Sequence, residues 1–167
     1  LLKNNKDLYL PDFSDEIHFE AELVFRIGKH GKHIQAKFAH RYIDAFTIGI
    51  DFTARDLQKK LKSKGLPWEL AKGFDGSAAI GRWLSIDRWS NEVRFSLEKN
   101  GETVQKGNPK YMLFSLASII AYVSKHFTFQ KGDLLFTGTP EGVGPVEQGD
   151  QLTGYVNREK LFSFSVR

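Results

Sequence analysis

Glu20-Ala21-Glu22-Leu23-Val24-Phe25-Arg26-Ile27-Gly28 alternates cleanly and reads as a β-strand. Ala21, Leu23, Phe25 and Ile27 share one face, while Glu20, Glu22, Val24 and Arg26 share the other, since strand side chains alternate with a period of two. The pattern predicts a half-buried strand that ends in a glycine-containing turn at Lys29–Lys32. Asp12–Asp15, just before it, reads as a loop. Downstream, Ala45–Phe52 is a second apolar strand. A helix follows, with Thr53 as its cap and Asp56 three residues on in a capping-box pattern. Leu57 and Leu61 give it an apolar side, and Gly65 and Pro67 stop it. Trp83–Ile86 and Glu92–Lys99 read as strands, and Asn100-Gly101 as a hairpin turn. Leu113–Lys125, carrying Ile119, Ile120 and Val123, is the second helix. Asp133–Thr137 is a strand that enters the glycine-rich loop Thr137–Gly144. Gln151–Val156 and Leu161–Val166 close the chain as strands. Many strands and two helices indicate an α+β or mainly β domain.

The 167 residues fit one domain spanning 1–167, with 1–14 as a loop. Hydrophobic residues at 41% and charged residues at 26% are ordinary for a globular chain and exclude a disordered or collagen-like one. The longest nearly apolar stretch, Met112–Val123, falls short of the roughly 20 residues a membrane-spanning helix needs, so no membrane association is expected. There is no cysteine. That removes disulfides, thiolate metal sites, iron–sulfur clusters and a cysteine nucleophile. It fits a reducing compartment, and a cytoplasmic location is expected. The chain starts at Leu1, and no charged-then-apolar leader follows. Net charge is +4. The basic runs Lys59–Lys64 and Lys29–Lys32 read as solvated faces rather than a nucleic-acid stripe. The 14 phenylalanines, mostly in alternating stretches, point to a well-filled β core.

Several residues could carry chemistry. Glu20 and Glu22, at i and i+2 of a strand, project to the same side about 7 Å apart. The pair suits a solvent-facing strand edge, or it supplies two ligands for a hard divalent cation such as Mg2+, which prefers oxygen donors. Asp51 ends an apolar run, where a carboxylate is costly unless paired. It also stands just before a helix N-terminus, which favours a negative charge. Arg55 and Gln58 share a helix face and either point back toward whatever Asp51 holds or form ordinary polar surface. Lys72, in the weakly polar stretch Leu70–Phe74, could face an anion. The Thr137–Gly144 loop offers backbone N–H groups and two hydroxyls to an anion, yet lacks the Gly-Lys-Ser/Thr of a Walker A loop. His18 would lie on the carboxylate face of the strand, and His30 and His33 flank a turn. No histidines have zinc-helix spacing, and no Gly-x-Ser-x-Gly elbow is present.

Three segments together resemble the fumarylacetoacetate hydrolase family. They are His18-Phe19-Glu20-Ala21-Glu22-Leu23, Gly49-Ile50-Asp51-Phe52-Thr53-Ala54-Arg55-Asp56-Leu57-Gln58, and Leu134–Pro145 around Thr137-Gly138-Thr139-Pro140-Glu141-Gly142-Val143-Gly144. Leu66-Pro67-Trp68 with Ala71-Lys72-Gly73-Phe74 also fits, closest to the acylpyruvate hydrolase branch. The resemblance implies an α+β fold with a mixed β-sandwich or β-roll and a few short helices. It implies Mg2+ or Mn2+ on Glu20, Glu22 and Asp51, the same trio that spacing and chemistry single out. It implies catalytic roles for Lys72 and Thr139, substrate contacts from Arg55, Gln58 and Gly138, and a homodimer.

The activity so implied is a Mg2+-dependent hydrolysis of C–C bonds in 2,4-dioxo acids (acylpyruvates), through a metal-chelated 2-oxo carboxylate. The same electron sink would also serve an oxaloacetate decarboxylase or tautomerase, or a 2-hydroxyhepta-2,4-diene-1,7-dioate isomerase. A catalytically inactive metal-binding homologue is a further reading. The resemblance has one departure. Members of this type begin with a short segment containing Gly-x-Asn-Tyr, followed by a lid with a histidine–glutamate base, and nothing in Leu1–Ser14 matches it.

Overall fold

The computed structural model describes residues 1–167. Twelve strands run in chain order: β1 (Ile17–Phe19), β2 (Ala21–Ile27), β3 (Ile43–Asp51), β4 (Thr53–Ala54), β5 (Ala78–Ile80), β6 (Leu84–Ser85), β7 (Phe95–Lys99), β8 (Glu102–Gly107), β9 (Leu134–Phe136), β10 (Gly144–Pro145), β11 (Gln151–Val156) and β12 (Glu159–Ser165). The α-helices are α1 (Arg55–Ser63), α2 (Glu69–Lys72) and α3 (Leu116–His126). One sheet has the order β5-β3-β2-β9 with β6 added on β3, a second β12-β11-β7-β8, and a small third β10-β1-β4. The fold is thus α+β, mostly strands in curled sheets with a few short helices. No helix is long and apolar enough to cross a membrane.

The two larger sheets share one apolar core. Leu23, Ile48, Ile50 and Phe52 from the first meet Leu97, Leu152, Phe162 and Phe164 from the second in a single buried cluster. The rings of Phe52 and Phe164 are edge to face, with centroids 6.3 Å apart. The N-terminal loop is laced onto both sheets. Leu2 bonds to the backbone of Ala78 and Ile80, and Leu8 to that of Ser165 and Arg167.

The strand expected to be half buried is buried on both faces. Every residue of β2 except Arg26 is shielded from solvent. Ala21, Leu23, Phe25 and Ile27 enter the shared core, and Glu22 and Val24 on the opposite face are covered as well, so the strand has no solvated face. The Asn100-Gly101 turn forms as expected, with φ of +54° and +84°, and joins β7 to β8. Other boundaries moved. Thr53 does not cap α1, because it belongs to β4, paired with β1. Ala54 holds the cap position without a side-chain bond. Asp56 instead accepts hydrogen bonds from the Ser14 hydroxyl at 2.6 Å and the Leu57 amide at 2.7 Å. The second helix starts at Leu116, where Ser115 caps it by accepting from the Ser118 amide. Leu113 and Phe114 therefore precede it and are exposed. The expected strand at Trp83–Ile86 shrinks to β6, followed by a 3-10 turn capped by Ser85. A 3-10 segment at Ala36–Tyr42 has no apolar period that would have announced it.

Candidate metal centre

The register of two neighbouring strands assembles the site. β2 and β3 are antiparallel, with Ala21 opposite Ile50 and Glu22 opposite Gly49. The same register sets Asp51 beside Glu20, and the Asp51 amide donates to the Glu20 carbonyl at 2.9 Å. Side chains at alternate positions share a face, so Glu20, Glu22 and Asp51 converge. One carboxylate oxygen from each lies within 4.8 Å of the others. Gly49 shares that face and has no room for a side chain. A Cβ there would sit 2.7 Å from both the Ala79 carbonyl oxygen and Val24 Cγ2.

Two cations lock onto the cluster. Lys72, the last residue of α2, donates from Nζ to Asp51 Oδ2 at 2.7 Å, Thr53 Oγ1 at 2.6 Å and Glu20 Oε2 at 3.0 Å. Its position follows from α2, which docks through the fully buried Ala71. Arg55, at the start of α1, donates to Glu20 Oε1 at 2.5 Å and to Gln58 Oε1 at 2.7 Å. Arg55 and Gln58 thus point inward as a bonded pair. Gln58 reaches the cluster only through Arg55.

The glycine-rich loop closes the other side. Thr137 donates its hydroxyl to the Leu23 carbonyl and Thr139 to the Ala21 carbonyl, both at 2.8 Å. Between them the Gly138 amide donates to Glu22 Oε2 at 2.6 Å. β9 ends at Phe136 opposite Val24, so the two threonines continue its pairing along β2 with side chains instead of backbone. A cleft of about 600 Å3 borders the same loop on Thr137–Glu141 and is walled by Leu23, Phe95, Tyr111 and Phe114. None of the three carboxylates lines it.

Burial and neighbours split the three carboxyls. Burial pushes Glu22 up to about 7, assisted by the charges of Asp51 and Glu20 and opposed by the Gly138 amide. Burial also raises Asp51, against the pull of Lys72. Glu20 is desolvated too, but its bonds to Lys72 and Arg55 outweigh that and hold it below the ordinary range. An all-oxygen set of three carboxylates, one of them buried, fits a hard divalent cation.

The structure brings together Glu20, Glu22, Asp51, Lys72, Arg55, Gln58, Gly138 and Thr139. His18 stands apart. On β1 it lies 3.1 Å from Glu16 and makes no bond to the three carboxylates. Burial, with Arg55 nearby, lowers its pKa, and its Nδ1 is buried without a partner. In the sequence Thr53 reads only as a helix cap and Gln105 goes unnoticed, while Thr137 is one of the two loop hydroxyls offered to an anion, its proton here committed to Leu23. The Asn100-Gly101 turn alone would set Gln105 opposite Ser96, but a bulge between Leu97 and Glu98 sets it opposite Leu97, so its core-facing position is not readable from the pattern.

Comparison with known proteins places the chain in a family. The family model described as fumarylacetoacetate (FAA) hydrolase C-terminal matches residues 1–161. The mitochondrial oxaloacetate tautomerase FAHD1 of Mus musculus is 37% identical over 160 residues, covering 95% of this chain and 72% of that protein. The mitochondrial oxaloacetate decarboxylase of Dictyostelium discoideum is 39% identical over 154 residues, covering 91% and 71%. Among solved structures, the fumarylpyruvate hydrolase of Pseudomonas aeruginosa in complex with Mn2+ and pyruvate superposes with a TM-score of 0.90 at 37% identity. That match covers 96% of this chain and 70% of the other.

Proposed function

Because the chain belongs to the fumarylacetoacetate hydrolase family, we propose that it is a divalent-metal-dependent hydrolase cleaving C–C bonds of 2,4-dioxo acids, the acylpyruvates. The observation that carries this reading is the convergence of Glu20, Glu22 and Asp51 to within 4.8 Å, with Lys72 and Arg55 bonded to the group. Three carboxylates against two cations leave one net negative charge. Mg2+ or Mn2+ turns that balance positive, which suits an anionic 2-oxo acid. Held by the three carboxylates, the ion would supply Lewis acidity to a chelating 2-oxo carboxylate.

The chain's own groups do the rest. Lys72 stands at the edge of the cluster, bonded to Asp51 and Glu20, where it offsets charge that develops on the substrate. The Thr139 hydroxyl has its proton committed to Ala21. Its backbone N–H donates to no protein acceptor, and we assign it to a substrate oxygen. Arg55 and Gln58 form the polar edge that orients the acid's remaining oxygens. The names of the two relatives favour a second reading, tautomerisation or decarboxylation of oxaloacetate.

The surface supports a homodimer. The folded chain exposes 9555 Å2, against about 8,400 Å2 for a compact monomer of its mass. The excess compares with the roughly 800 Å2 that one partner buries in a standard interface. Tyr111, Leu113 and Phe114, exposed by 83%, 94% and 68%, form its most apolar segment.

The test is turnover of acetylpyruvate and of oxaloacetate with Mg2+ or Mn2+, with and without chelator, against Asp51→Ala. Metal-dependent loss of acetylpyruvate that the substitution abolishes supports hydrolysis. Loss of oxaloacetate alone selects the second reading. Metal uptake without turnover of either identifies an inactive metal-binding homologue.

A further inference from the structure

We propose that Gln105, on β8 of the second sheet, is the positioning residue that sets the Gly138–Thr139 loop against the carboxylate cluster. Gln105 is 2% exposed, and a buried amide is costly unless it is hydrogen-bonded. It is bonded at both ends. Its Oε1 accepts from the Ala21 amide at 2.8 Å. Its Nε2 donates to Thr139 Oγ1 at 2.9 Å and to the Pro140 carbonyl at 3.1 Å.

These bonds close a ring around one residue. Ala21 lies between the two glutamates. Its amide goes to Gln105, and its carbonyl accepts from Thr139, which in turn accepts from Gln105. No strand pairs with Ala21 on that side, since β9 has ended at Phe136. Gln105 therefore fixes both the backbone that carries Glu20 and Glu22 and the loop that carries the Gly138 amide. A second point of the loop also rests on β8. Gly142, at φ +98°, passes so close that a Cβ there would lie 2.4 Å from the Val104 carbonyl oxygen. Gln105 touches neither the three carboxylates nor the two cations, so it acts only through Thr139, Pro140 and Ala21.

The consequence for ligand binding rests on the proposed function, but the placement of the loop does not, and the experiment keeps the two apart. Gln105→Leu removes all three bonds at similar volume. Gln105→Glu keeps the acceptor and regains a donor only when the introduced carboxyl is protonated. Hydrogen exchange is followed in the metal-free proteins. In Gln105→Leu the amides of Thr137–Gly144 should exchange about tenfold faster or more, with those of β12 unchanged. Calorimetry then follows Mn2+ and, on the loaded protein, pyruvate. Mn2+ affinity should fall as the Gly138 amide loosens from Glu22, and pyruvate binding to the loaded protein should weaken about tenfold further. Relative to wild type at each pH, Gln105→Glu should bind pyruvate poorly at about pH 8 and recover toward about pH 5.5.

Unchanged loop exchange in a folded Gln105→Leu overturns the proposal. If that variant does not fold, a pH-independent ratio for Gln105→Glu overturns it instead. Wild-type protein that takes up no Mn2+ defeats the functional reading alone, and loop exchange still decides the role of Gln105.

Discussion

The Gly138 amide donates a 2.6 Å hydrogen bond to Oε2 of Glu22, across 116 positions of sequence. It is the one backbone donor that the loop gives to the cluster, and it depends on φ of +93° at Gly138. A Cβ at Gly138 would meet nothing within 4 Å, so space is not the constraint. Backbone conformation is.

Gly138→Ala should therefore destabilise the protein by about 1–2 kcal/mol, the cost of holding an L-residue in the left-handed region. It should also weaken Mn2+ binding as the amide shifts off Glu22. Chemical denaturation and metal titration measure the two effects. Full stability with unchanged metal affinity would show that the bond does not position Glu22.

Glu22, pushed up to about 7 by burial, gives a pH signature. A carboxyl whose folded pKa lies above its unfolded value contributes stability fully present below the unfolded pKa and lost as pH rises through the folded one. The window therefore runs from the ordinary glutamate value of 4.5 up to about 7. Metal-free Glu22→Gln, which stays neutral, should match wild type near the bottom of that window and exceed it above the top. In wild type, metal uptake should release protons and tighten with pH across the same range. A stability difference that stays flat with pH would contradict the assignment.

Lys72→Met removes the cation shared by Asp51, Glu20 and Thr53. The metal-free protein should lose about 1–3 kcal/mol, because the partly buried Asp51 is left without its cation while Glu20 keeps only Arg55. Mn2+ affinity should hold or improve, since a competing positive charge is gone, while turnover falls by about a hundredfold or more. Parallel loss of metal and activity would place Lys72 in the metal site itself.

Light scattering should give a mass about twice the 19.0 kDa of the chain. Tyr111→Asp with Leu113→Asp should return it to one chain without loss of fold, because both side chains are more than 80% exposed in the single chain. A monomer at the outset would remove the dimer from the proposed function.

What the sequence made legible follows from chain locality. Glu20 and Glu22 lie on one strand, and Asp51 ends an apolar run. The i, i+2 spacing and the cost of a buried carboxylate were thus enough to bring all three forward. Helix spacing and local composition raised Arg55, Gln58, Lys72 and the Thr137–Gly144 loop as open candidates, and the resemblance gave Lys72, Arg55, Gln58, Gly138 and Thr139 their roles. The exposed-edge alternative for Glu22 fails because the Thr137–Thr139 loop, more than a hundred residues away, closes that end of β2. Thr53 read as a helix cap because local propensity favours it there. Its pairing with β1 is a long-range contact that overrode the cap. Gln105 was hidden for the same reason, since its partners Ala21 and Thr139 come from two distant segments.

The threonine pairing along β2 also bears on self-association. An unpaired strand edge is a template on which other chains can add. At Leu23 and Ala21 the outward carbonyls are taken by hydroxyls, and the Ala21 amide by a side-chain amide. Such caps satisfy the backbone but present no continuous row of donors and acceptors to an incoming strand. The end of β2 that must stay open for a small ligand is thereby closed to aggregation.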